Sequence, residues 1–215
     1  MATTPYVELQ ALLSTYKKVL YSSLKVEKLR ACLQSVSEED VYQLLAWKGE
    51  TAIYTAIQRD QVEILSCLLD SITEKQRYEL LLTMNRNGAS WLHFAAYFGS
   101  NEAARSICQF VSVEHYRFQL LAQQTSNGLT ALHQAALDDN TELLTIILES
   151  VEPDQQIQLL DITDDYNRTV LDVAQLYNNQ STAELIEQHY QRDITLSGGS
   201  EAYYQAEITP AESKL

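Results

Sequence analysis

Hydrophobic positions along this chain recur at three- and four-residue intervals, the spacing of one helix face. Leu9, Leu12, Leu13, Tyr16 and Leu20 form a first stripe, and Leu24, Leu29, Cys32 and Leu33 a second. Ser37-Glu-Glu-Asp40 then offers a hydroxyl N-cap and first-turn acids to a helix carrying Val41, Leu44 and Leu45. From there the pattern recurs on a longer scale. Val62-Glu-Ile-Leu-Ser-Cys-Leu-Leu69, Asn101-Glu-Ala-Ala-Arg-Ser-Ile-Cys108, Thr141-Glu-Leu-Leu-Thr-Ile-Ile-Leu148 and Ser181-Thr-Ala-Glu-Leu-Ile186 are four versions of one amphipathic helix. Each follows a shorter helix expected to open at a hydroxyl residue, Thr51, Ser90, Thr130 or Thr169, in steps of 39, 40 and 39. Self-similarity at a near-constant period predicts a stack of repeats.

A third, short helix per repeat accounts for the length of the period. Thr73-Glu-Lys-Gln76 has the capping-box pattern, Ser112 offers a cap before Val113-Glu114, and Pro153 suits a first helical position. Each leads to a leucine pair, Leu80-Leu81, Leu120-Leu121 or Leu159-Leu160. Polar turns such as Asn85-Arg-Asn-Gly88 and Thr125-Ser-Asn-Gly128 follow, with a glycine able to take positive φ, and are expected to project as fingers along one edge. Residues 1–46 lack the recurring signature and are expected to form a helical N-terminal cap with its lysines in water. Leu196-Ser-Gly-Gly-Ser200 reads as a flexible linker inside an acidic tail, 191–215, expected to be either flexible or loosely packed over the last repeat.

The best copy of the signature, Gly128-Leu-Thr-Ala-Leu-His-Gln-Ala-Ala136, resembles an ankyrin repeat. Gly88-Ala-Ser-Trp-Leu-His-Phe-Ala-Ala96 and Gly49-Glu-Thr-Ala-Ile-Tyr-Thr-Ala56 are similar, and Arg168-Thr-Val-Leu-Asp-Val-Ala174 is a degenerate fourth. The usual proline is replaced by Ala52, Trp91, Ala131 and Val170, and the histidine, kept at His93 and His133, is Tyr54 and Asp172 elsewhere. The period exceeds the family's usual length of about 33 residues. The resemblance implies an all-α ankyrin-repeat solenoid, with repeats at about 47–85, 86–124, 125–164 and 165–190. It also implies a non-enzymatic module that binds a protein through its concave face and fingers. The matching positions are Trp47, Lys48, Arg86, Asn87, Ser126, Asn127, Leu129 and Tyr166 in the fingers, and Arg59, Tyr97, Phe98, Leu137, Asp138 and Tyr177 after the small-residue pair. Trp91 is open between core and contact, and Tyr97 and Phe98 between contact and packing on the next repeat. Extended repeats of this kind also resemble ankyrin proteins of intracellular bacteria, including secreted effectors, which implies the alternative of an adaptor acting in a host cytosol.

Charge narrows the partner. The chain carries a formal net charge of −14, which argues against nucleic acid or an anionic membrane. Residues 1–30 hold five Lys/Arg against two Glu, whereas 119–215 hold sixteen Asp/Glu against three Lys/Arg, so a partner with a basic surface is expected. The unpaired spacing of Cys32, Cys67 and Cys108 suits reduced thiols in a cytoplasmic, monomeric protein, and no apolar run approaches membrane-spanning length. His93 and His133 are expected to be scaffold rather than partners in Cys–His catalysis, and His115 and His189 lack metal-ligand spacing. Asp138-Asp139 and Asp161–Asp165 are expected to be solvated turn acids. No cofactor or metal site is expected, and the remaining enzymatic alternative is a site within the N-terminal 46 residues. Ser213-Lys-Leu215 matches a peroxisomal address, and the glutamate-bearing tail resembles a secretion signal.

Overall fold

A computed structural model describes residues 5–15, 23–48, 50–83 and 85–197. Its helices fall into triplets. The first is α1 (Pro5–Thr15), α2 (Ser23–Gln34) and α3 (Glu38–Lys48), and the second α4 (Glu50–Gln58), α5 (Val62–Asp70) and α6 (Glu74–Leu81). The third is α7 (Trp91–Phe98), α8 (Asn101–Phe110) and α9 (Glu114–Leu121), and the fourth α10 (Ala131–Leu137), α11 (Thr141–Leu148) and α12 (Pro153–Leu160). A final pair, α13 (Val170–Leu176) and α14 (Gln180–Ser197), ends the described chain. No strand occurs among the described residues.

Three columns result. First helices pack in the order α1, α4, α7, α10, α13, and second helices in the order α2, α5, α8, α11, α14. Third helices are laced by side chains. Gln76 donates to Glu39 (3.0 Å), Tyr78 to Gln119, and Gln155 to Glu114 (2.8 Å). Each triplet therefore leans chiefly on its neighbours, as in a one-dimensional stack.

The helices start where the hydroxyls are. Thr130 Oγ1 accepts from the His133 N–H (3.3 Å), Thr169 from Asp172 (3.2 Å) and Thr73 from Gln76 (3.3 Å). Pro153 opens α12 in the first turn, and Ser37 caps α3 through Asp40. In the third triplet the cap position belongs to Val113, and Ser112 instead donates to Glu74 of the preceding repeat. Ala95, Ala96, Ala135 and Ala136 are buried where first helices meet, so short side chains permit the close approach. All three leucine pairs are buried as well.

Two expected boundaries move. α3 runs to Lys48 and α4 begins at Glu50, so Thr51 lies inside a helix instead of capping one. In later repeats the hydroxyl cap comes nine positions after the leucine pair; here Thr51 comes only six after Leu45, too close for a finger. Trp47 and Lys48 accordingly end a helix rather than sit in a turn, and their side chains lie outside the described residues. At the other end, α14 continues to Ser197, beyond the expected close of the repeats at 190, because no glycine or proline interrupts it before Gly198. Residues 198–215, with the tail signals, lie outside the described residues. The N-terminal triplet joins the same columns as the repeats despite its unlike sequence.

Candidate protein-binding face

Fingers are built as tight turns closed by one backbone bond, with the return N–H donated to the side-chain oxygen of Asn85, Thr125 or Asp164. Asn85 N–H donates to Ala89 O (3.0 Å), Thr125 to Leu129 (2.8 Å) and Asp164 to Arg168 (2.9 Å). Successive fingers also join each other, through Ser126 N–H to Asn87 O (2.8 Å) and Asp165 N–H to Asn127 O (3.2 Å). Gly88 and Gly128 take φ of 74° and 76° at the points of closest approach, and Asn167 fills that place in the last finger at φ 57°.

The two signature histidines fasten helices to fingers. The Ser90 N–H donates to His93 Nδ1 (3.2 Å), which leaves the ring proton on Nε2 to be donated to Leu129 O (2.9 Å). His133 repeats this, accepting from Thr130 N–H (3.2 Å) and donating to Arg168 O (3.1 Å). Burial lowers the pKa of both rings, against the pull of those carbonyls, so each stays neutral. Both ring nitrogens are committed to backbone, which is a scaffold role.

Of the acids expected to be solvated in turns, Asp138, Asp139, Asp161 and Asp165 are exposed and Asp164 is not. Asp164 is only 4% exposed and binds Arg168 through Nε at 2.8 Å, while also accepting the Tyr166 and Arg168 N–H groups. Burial raises its pKa, but the Arg168 side chain and the two backbone donors outweigh this and hold the carboxyl below its ordinary range. Asp139, at φ 50°, accepts from both the N–H and hydroxyl of Thr182 in the next repeat. Asp60 does the same for Ala103 N–H (2.7 Å).

Against this scaffold the candidate contact residues separate cleanly. Trp91 is core: it is 6% exposed and its indole N–H donates to Leu80 O (3.0 Å). Standing first in its helix, it turns its ring back toward the end of α6, the space the family's small proline would leave. Phe98 is half-buried, its ring edge-on to Tyr54 at 5.5 Å, so it packs on the preceding repeat. Leu129 and Leu137 are half-buried too, and Leu137 packs against the core. Arg59, Arg86, Asn87, Ser126, Asn127 and Asp138 are exposed. Tyr97, Tyr166 and Tyr177 are 67%, 75% and 54% exposed. The Arg168 guanidinium lies 4.8 Å from the Tyr166 ring centroid and backs that ring from behind.

The family model for ankyrin repeats, in three copies, matches residues 22–119. These are ankyrin repeats. The match runs from the start of α2 into α9, so it takes in part of the segment expected to be a cap. α10 to α14 extend the same columns beyond it and hold the clearest signature, so the fold is an all-α ankyrin solenoid. A search of curated proteins finds no match.

Within the ankyrin frame, Tyr97, Leu137 and Leu176 share one register, seven residues after the hydroxyl cap. Because α7, α10 and α13 pack side by side, their last turns form a row. Leu176, 57% exposed, belongs to that row, at the register that also places Tyr97 and Leu137 in it. The exposed charges beside it change sign along the stack: Arg59 and Arg86 belong to the earlier repeats, and Asp138 and Asp165 to the later ones. Among the described residues no group of three His, Cys, Asp or Glu is placed to hold a metal ion, and no helix is long and apolar enough to cross a membrane.

Proposed function

We propose that this chain is a protein-binding module whose partner lies along the last turns of α7, α10 and α13 and the adjoining finger tips. The observation that carries the reading is the exposure of Tyr97, Tyr166, Leu176 and Tyr177 on positions that the scaffold leaves free. Large aromatic side chains held in water have no folding role to explain them, and tyrosine is enriched among interface hot spots. Exposed Asp138 and Asp165 favour a partner whose basic surface meets the last two repeats.

A photo-crosslinker replacing Asn87, beside the row, should trap a partner in cells that the same crosslinker replacing Glu149 on α11 does not. With that partner purified, Tyr97→Ala and Tyr177→Ala should each weaken binding by about fivefold or more, the effect of losing roughly 1 kcal/mol at a hot spot. Unchanged affinity in the double variant, with the fold intact by circular dichroism, would remove this face from the binding site.

A further inference from the structure

The third helices form a second surface, on a different column from the row described above. Between α6 and α9, at the end of α8, Tyr78, Phe110, Val111, Val113 and Tyr116 line an open groove. Val113 and Tyr116 are both exposed. The Tyr78 and Tyr116 rings stack 4.0 Å apart at 20°.

The rim is acidic. Glu74 and Glu79 line it, and the local cations are engaged: Lys75 with Glu79 (3.8 Å), and Arg77 with Asp70 (3.6 Å) and over the Phe110 ring. Val111 is core and Phe110 packs against it, whereas Val113 and Tyr116 stay exposed, and the α6–α9 junction has its own hydrogen bond from Tyr78 to Gln119. An apolar floor with exposed aromatic faces and a carboxylate rim is complementary to one chemistry: an aliphatic side chain flanked by arginines, whose guanidinium groups stack on tyrosine and pair with carboxylates. We propose that the α6–α9 groove docks a short arginine-flanked apolar segment of another protein, independently of the α7–α10–α13 row.

The probe is the peptide acetyl-Ala-Arg-Leu-Arg-Ala-amide, titrated into the isotopically labelled full chain and followed by amide NMR shifts. Shifts should centre on residues 74–79 and 110–116 and weaken with added salt. Peptides with Glu for Arg, or Ala for Leu, should bind at least tenfold more weakly. Tyr116→Ala and Val113→Ser, both at exposed positions, should weaken binding at least fivefold without altering the spectrum elsewhere, whereas Tyr97→Ala should leave it unchanged. Three outcomes overturn the proposal: no shifts at millimolar peptide, shifts confined to 97, 138 and 176–177, or binding indifferent to Tyr116→Ala. The last-turn row is tested by its own partner and crosslinks, so either surface can fail alone.

Discussion

Gly128→Ala puts the finger architecture to a quantitative test. At φ 76° an alanine is strained by about 1 kcal/mol. A β-carbon built there would sit 2.6 Å from Asp165 N and 2.8 Å from Asp164 C and Cα. Those are backbone atoms of the next finger and cannot rotate aside. That finger must shift, losing the Asp165 N–H bond to Asn127 O, worth about 1 kcal/mol net, and adding overpacking of about 1–3 kcal/mol. The expected loss is therefore about 3–5 kcal/mol. Gly99 supplies the control: its φ is 66°, but nothing lies within 4 Å of its would-be β-carbon, so Gly99→Ala should cost about 1 kcal/mol or less. Urea unfolding measures both. With a slope near 2 kcal/mol/M, the Gly128→Ala midpoint should fall by roughly 1.5–2.5 M and that of Gly99→Ala by about 0.5 M or less. Equal losses in the two variants would refute the reasoning, since both share the dihedral strain and only Gly128 meets a neighbouring finger.

Trp91→Ala should cost about 3–5 kcal/mol by urea unfolding, the usual range for a buried large aromatic, while Tyr97→Ala should stay within about 0.5 kcal/mol of the parent. Acid should destabilise the fold before any carboxylate titrates. Burial depresses His93, His133 and His189 below their ordinary range, so under about pH 6.5 the unfolded chain takes up protons that the folded chain refuses. Stability should be flat above that pH and fall below it, by up to about 1.4 kcal/mol per pH unit for each ring, with His133→Gln reducing the slope; urea midpoints from pH 7.5 to 5.5 test this. Asp164 acts in a separate window: its lowered pKa contributes stability that is lost only as the pH falls through that value, below the ordinary aspartate range. The Cys108 thiol, buried and pushed up to about 11, should resist iodoacetamide at pH 8 in the folded chain and react once urea unfolds it, as peptide mass spectrometry would show.

Local chemistry made much of this architecture legible in the sequence. A hydroxyl three residues ahead of a histidine or acid, a glycine in an Asn-Gly turn and an alanine pair each act within a few residues, and their recurrence reveals period, helix starts and finger positions. The tertiary structure decided what depended on a neighbour. Trp91 and Tyr97 are both aromatic residues of α7, yet one is enclosed by the end of α6 and the other meets water, a difference set by which repeat stands behind each side chain. Asp164 looked like a solvated turn acid until Arg168 and two backbone donors enclosed it. The N-terminal triplet carries no copy of the signature histidine; the family match from residue 22 and its packing on α4, α5 and α6 make it part of the stack. Sequence determines the repeating unit because its signals are local, whereas burial and exposure belong to the contacts between units.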